Sequence, residues 1–190
     1  MNLLFLAVFI IWIVTEVVLS SIKREKHRPE TGGGHRADRN TLRIIWTVTV
    51  SANTIAAIVA VLTNVPIVSA PGFRYVGIAI MVLGLALRIA SIVSLGRMFT
   101  YNVAIRDGHQ LVTSGLYRFV RHPSYSGLLI IFIGYGLGLN NWLSLVIAFM
   151  PVFWAIMRRT AVEESVLEDQ FGDVYREYKK RIARFVPWIF

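Results

Sequence analysis

Residues 125–157 read YSGLLIIFIGYGLGLNNWLSLVIAFMPVFWAIM, a long apolar run without a charged side chain. A helix needs about 20 residues to cross a bilayer. The run is too long for one crossing and has room for two short ones if something turns the chain. Asn140-Asn141 lies near its middle, and asparagine is a turn residue that tolerates left-handed backbone. The reading is therefore a helical hairpin, with crossings over 123–139 and 142–157.

Working outward, the blocks 3–22, 42–65 and 74–95 are also apolar and almost free of charge, each long enough for one span. The expected fold is an all-α membrane protein in one domain, 1–190. It has five transmembrane helices, the last two forming the hairpin, and a cytoplasmic amphipathic helix within 158–190. The composition, 55% hydrophobic over 190 residues, is high for a soluble chain of this size. The first block lacks a basic leader and a small-residue cleavage site and carries Glu16, so it reads as a permanent anchor.

The chain has 20 Lys and Arg against 11 Asp and Glu, a net charge of +9. Their placement argues against a nucleic-acid partner. Lys23, Arg24, Lys26, Arg28, Arg36, Arg39 and Arg43 lie between the first two spans or at the edge of the second; Arg97, Arg106, Arg118 and Arg121 precede the fourth. Arg158, Arg159, Arg176, Lys179, Lys180, Arg181 and Arg184 follow the fifth, whereas the Asn140 turn has none. Alternation of this kind follows the positive-inside rule. It predicts an outside N-terminus, a cytoplasmic C-terminus, and basic faces suited to anionic lipids, in the cell or inner membrane if the source is prokaryotic. With no cysteine, disulfides and thiolate chemistry are excluded.

Between the spans, residues 23–41 with their Gly32-Gly33-Gly34 triplet read as a flexible loop. Residues 96–121 mix aromatic and β-branched residues with turn signals and read as an ordered loop on the membrane face. After the fifth span, Val162, Val166, Phe171, Tyr175, Tyr178 and Ile182 recur at helical spacing, with Gly172 as a candidate break.

Several residues stand out. Gly134, Gly136 and Gly138 have the spacing of a nucleotide loop, but inside an apolar span they read as close helix packing. Glu16 and Arg88 are charges within spans, open either to pairing with each other or to binding substrate. No cluster has metal-ligand spacing, so no metal site is expected. His109, Arg121, His122, Tyr125, Arg159 and Glu163 fall at one membrane face. A cation, an imidazole, a carboxylate and aromatic surface together suit an amphoteric cofactor such as S-adenosylmethionine.

The stretches HQLVTSGLYRFVRHPSYSG (109–127) and EESVLEDQFGDVYREYKKRIARFVP (163–187) resemble the isoprenylcysteine carboxyl methyltransferase family. More broadly they are similar to the integral-membrane methyltransferases that include phospholipid N-methyltransferases. The resemblance implies S-adenosylmethionine as cofactor, with His109, Gln110, Leu111, Val112 and Tyr117 along the edge of its pocket. It places His122, Pro123, Ser124 and Tyr125 around the cofactor, Glu163 at its methionine end, and Arg159 toward the acceptor. The expected partners are membrane lipids and a lipophilic small-molecule or lipidated acceptor, which spans one to three should hold. Carboxyl O-methylation is the leading expectation. Amine or phospholipid N-methylation is a second, and a membrane NADPH-dependent sterol-type reductase sharing the C-terminal half is a third.

Overall fold

The structure is a computed structural model that describes residues 2–22, 34–70, 72–99 and 110–189, with only the backbone for 22, 34–39 and 97. Six α-helices run through the described residues: α1 (Leu3–Ile22), α2 (Gly34–Leu62), α3 (Phe73–Leu95), α4 (Pro123–Leu139), α5 (Trp142–Phe171) and α6 (Asp173–Arg181). The described residues include no β-strand, only two isolated bridges. Four helices, α1, α2, α3 and α5, are long and apolar enough to cross a membrane, and α4 is a shorter apolar helix.

The hairpin forms where the asparagines predict it. Asn140 takes the left-handed conformation (φ 51°), and Asn141 caps α5 by accepting from Ser144 N at 3.0 Å. Both side chains also clasp the α2–α3 connection. Asn140 pairs with the Val68 backbone at 3.1 and 2.9 Å, and Asn141 Nδ2 donates to Thr63 Oγ1 at 2.9 Å.

Two boundaries depart from expectation. The second helix begins at Gly34, inside the stretch read as a loop, and stops at Leu62 rather than at 65. Pro66 disfavours helical backbone at Val65, which ends it early. Residues 23–33, and 100–109 of the third loop, lie outside the described residues. The fifth helix does not end at 157 with the apolar run. Residues 158–171 contain neither glycine nor proline and include good helix formers such as Ala161, Glu163 and Leu167. The helix therefore continues to Phe171 and ends at Gly172, whose φ of 54° leaves the helical region. The amphipathic tail is thus the end of α5 plus α6.

The glycines of α4 act through contact. A Cβ on Gly77 of α3 would lie 2.2 Å from Gly138 N, and one on Gly84 would lie 2.7 Å from Gly127 O. Backbones approach that closely only where neither side carries a side chain. Helix α5 packs on both α2 and α4, while α1 rests on α3 and does not pack along α2. Aromatic rings join α1 to α4: Phe5 and Phe9 pack at a tilt against Tyr135, and Trp12 meets Phe132 edge-on at 5.3 Å.

Candidate active site

The start of α4 is held from two sides. Pro123 occupies its first turn, where a missing N–H costs nothing. Just before it, Val120 bridges Ala183 in parallel, Arg121 N donates to Ala183 O at 2.8 Å and His122 N to Arg184 O at 3.0 Å. Ser126 Oγ donates to Phe185 O at 2.7 Å, and Arg121 Nη1 donates to the carbonyls of Lys179, at 2.9 Å, and Ile182. Residues 182–186 therefore form a strap that fixes the backbone of the Arg121-His122-Pro123 element.

The consecutive glutamates of α5 do different things because a helix turns successive side chains in different directions. Glu164 turns inward to accept from Arg121 Nε (3.0 Å) and Arg184 (3.1 and 2.7 Å), with His122 Nε2 at 3.1 Å and Lys179 Nζ at 3.7 Å. It ties α5 to both the α4 entrance and the strap. Glu163 accepts from Tyr125 Oη at 2.6 Å and Arg159 Nε at 3.0 Å, with His122 Nδ1 at 3.7 Å. His122 thus presents one ring nitrogen toward each glutamate. The buried Arg159 continues the chain, its Nη1 donating to Thr41 Oγ1 of α2 at 2.9 Å.

Within the membrane helices, Glu16 and Arg88 form a two-pronged ion pair, Nη2 to Oε2 at 2.7 Å and Nε to Oε1. Arg88 Nη1 also reaches Ser124 Oγ at 2.9 Å. These charges pair, and both also face a cavity.

That cavity, of about 480 Å³, collects most of the expected site. Gln110, Leu111, Val112, Tyr117, His122, Ser124, Tyr125 and Glu163 all line it. Pro123 is buried beside it as a helix-start residue, Arg159 lies behind Glu163 and Tyr125 rather than on the wall, and His109 falls outside the described residues. Sequence reading did not assign Tyr175 and Tyr178 of α6 to the wall, although both lie within the 163–187 stretch that carries the family resemblance. Tyr178 donates to Tyr117 O at 2.5 Å, and burial pushes its phenol up to about 12, so it remains a donor. Burial, then the Glu163 carboxylate, raises Tyr117; burial, then Glu164, raises Tyr175.

The opposite wall comes from α1 (Phe9, Trp12, Ile13) and α2 (Ile45, Trp46, Val50 among others). It is mainly apolar, and because α1 does not pack along α2 it follows the cleft between those helices.

The phospholipid methyltransferase family profile matches residues 73–174, more than half of the chain. Curated relatives are named protein-S-isoprenylcysteine O-methyltransferases. A protein of Oryza sativa subsp. indica, called a probable one, is 40% identical over 118 residues, covering 60% of this chain and 61% of that protein. The Arabidopsis thaliana B protein is 41% identical, over 60% of this chain and 58% of its own length. The Homo sapiens protein is 38% identical, over 60% and 40%. The chain thus spans about 60% of the plant relatives and less of the human one. A solved structure of the eukaryotic intramembrane Ras methyltransferase, an isoprenylcysteine carboxyl methyltransferase, superposes with a TM-score of 0.67 at 22% identity. The superposition covers 97% of this chain and 65% of that one, and it shows a shared fold. With the family profile matching residues 73–174, the chain belongs to the phospholipid methyltransferase family, and it is similar to relatives named isoprenylcysteine O-methyltransferases.

Proposed function

We propose that the protein transfers a methyl group from S-adenosylmethionine to the carboxylate of a lipophilic acceptor of the isoprenylcysteine type, drawn from the bilayer. The observation that carries this reading is the single cavity joining the motif residues to the apolar α1–α2 cleft. A polar cofactor end and a lipid end meet in one chamber.

The residues at the polar end fit the cofactor. Glu163 is a carboxylate on the wall, suited to an ammonium group; Tyr117, Tyr175 and Tyr178 offer aromatic surface to a purine. The Tyr175 hydroxyl is buried without a hydrogen-bond partner, as expected where a ligand completes the site. When bound, S-adenosylmethionine supplies an electrophilic methyl group. The chain's own work is to bind, orient and exclude water. A carboxylate acceptor is already ionised at neutral pH and needs no general base, so catalysis rests on positioning. Arg159 holds the Tyr125 hydroxyl and the Glu163 carboxylate, and so positions the cofactor end from behind the wall. Methylation of an amine, which the family profile's description favours, would require removal of a proton first, and the named relatives favour oxygen. Those relatives, all methyltransferases, also weigh against a reductase.

The topology we propose has five spans, α1 to α5, with the N-terminus outside and the C-terminus cytoplasmic. Helix α4, 17 residues long, rises about 26 Å and falls short of the ~30 Å hydrocarbon core. It would set His122 slightly below the cytoplasmic surface. Arg118 over Phe119 (4.5 Å) and Arg158 over Trp154 (5.1 Å) suit that interface. Calorimetry of the purified protein tests the cofactor: S-adenosylmethionine and its demethylated product should bind. NADPH binding in their place would overturn the reading.

A further inference from the structure

At the end of the bundle marked by the Asn140 turn, opposite His122, a second cavity of about 450 Å³ lies between the start of α1 and the end of α2. Phe5 of α1, Ala57 and Ala60 of α2 and Gly138 of α4 belong to its apolar wall, and Arg74 of α3 also lines it. Its size is that of a ligand pocket, commonly about 300–1,000 Å³. Because α1 does not pack along α2, and the wall residues of α2 include small ones, the helices leave this space unfilled.

Charge says what fills it. Arg74 is the second residue of α3, whose 23 residues rise about 35 Å against a hydrocarbon core of ~30 Å. It therefore stands at the level of the lipid headgroups. The segments that meet here, residues 2–5, 57–76 and 138–142, contain no aspartate or glutamate. Among the described residues, none pairs with the exposed Arg74 side chain. The cation is left for an anion from outside the chain, and a guanidinium matches phosphate oxygens. From Leu62 to Ala57 the wall runs about 8 Å along α2, from the rim toward the hydrocarbon. An anion site with apolar volume directly beneath it has the shape of a phospholipid. The ammonium of a zwitterionic headgroup would find no carboxylate at this end.

We propose that this cavity binds one phospholipid with an uncharged headgroup, of the phosphatidylglycerol type, its phosphate on Arg74 and one acyl chain along Phe5 and Ala60. The lipid stands in for the missing α1–α2 packing and braces α1, which borders the acceptor cavity through Phe9 and Trp12. The two sites are distinct. Phe5 lines this cavity and Phe9 the other, and both rings pack against Tyr135.

The test follows the unfolding temperature of delipidated protein in detergent during titration with dioleoylphosphatidylglycerol. Dioleoylglycerol, which lacks the phosphate, and glycerol 3-phosphate, which lacks the chains, are the controls. Only the complete lipid should raise the unfolding temperature, and dioleoylphosphatidylcholine should act at severalfold higher concentration. Arg74→Gln should weaken the response about tenfold, as for loss of a hydrogen bond to a charged group. Arg176→Gln, which removes an exposed cation at the other end of the bundle, should leave it unchanged. Ala60→Trp, which fills the cavity, should abolish the response without lowering the unfolding temperature of the lipid-free protein. Equal stabilisation by dioleoylglycerol or dioleoylphosphatidylcholine, no stabilisation at all, or a full response in Arg74→Gln would overturn the proposal. So would displacement of the lipid by octadecanoic acid, because a lipophilic carboxylate competing here would make the cavity part of the acceptor site. If Ala60→Trp does not fold, Arg74→Gln decides. The outcome does not depend on the methyltransferase reading, since neither S-adenosylmethionine nor methyl transfer enters the measurement.

Discussion

On one side of the cavity Glu164 gathers Arg121, His122 and Arg184 within hydrogen-bond distance, and the strap at 182–186 is stitched to the α4 entrance through its backbone. On the other side α1 and α2 face each other across a cleft, with α1 held by rings and by the Glu16–Arg88 pair. The first wall is cross-braced by charge, the second built from apolar packing. The difference suits the use we propose for each wall. A cofactor with fixed charges rewards groups locked in place before it binds. A lipid tail offers area rather than direction, and it needs a cleft through which to arrive. Helix α5 serves both walls, because Arg159 reaches Thr41 of α2 while holding Glu163.

The contrast can be broken most forcefully at Glu164, whose side chain is 3% exposed. Glu164→Ala strands the cations around it, and breaking a buried ion pair by removing one partner costs about 3–5 kcal/mol. The unfolding temperature in detergent should fall sharply and cofactor binding should fail with it. An unchanged unfolding temperature would mean that the charge network does not brace this wall. Glu163→Gln should separate binding from stability. Cofactor affinity should fall about ten- to a hundredfold, as for loss of a hydrogen bond to a charged group at about 1.5–3 kcal/mol, while the unfolding temperature shifts far less. Comparable effects of the two substitutions on stability would erase the division between these neighbours.

On the lipid wall, Ile45→Ala should raise the apparent KM for a lipophilic acceptor severalfold and leave cofactor affinity unchanged, measured by methyl transfer and calorimetry. A loss of cofactor affinity would show that the walls are not separable. The smallest effect belongs to the exposed Arg176, paired with Glu168 and Asp173 on the surface. Arg176→Gln should alter neither binding nor unfolding measurably, since exposed pairs contribute little.

The two walls also differ in how far the sequence reveals them. The hairpin was readable because Asn140-Asn141 interrupts an apolar run that is otherwise too long. The charged wall was readable as a cluster because its residues fall in two compact segments, and eight of the positions expected at the cofactor, Gln110 to Glu163, line one cavity. The role of Glu164 was hidden: its partners Arg121 and Arg184 are 43 and 20 residues away, and only the fold brings them together. The overrun of α5 was missed because apolar length ends at Met157, whereas helical propensity continues to Gly172. The lipid wall had no local signal. Phe9, Ile13 and Ile45 are the same residue types that face lipid elsewhere, so composition does not distinguish an outer surface from a cavity lining.

Methyl transfer to a lipophilic carboxylate is tested most directly by incubating membranes containing the protein with methyl-labelled S-adenosylmethionine. The label should become lipid-extractable, and mild base should release it as volatile methanol, because esters hydrolyse and N-methyl groups do not. Glu163→Gln membranes should show a much smaller signal. Label that survives base and migrates with phospholipid headgroups would contradict carboxyl methylation and place the chemistry on nitrogen.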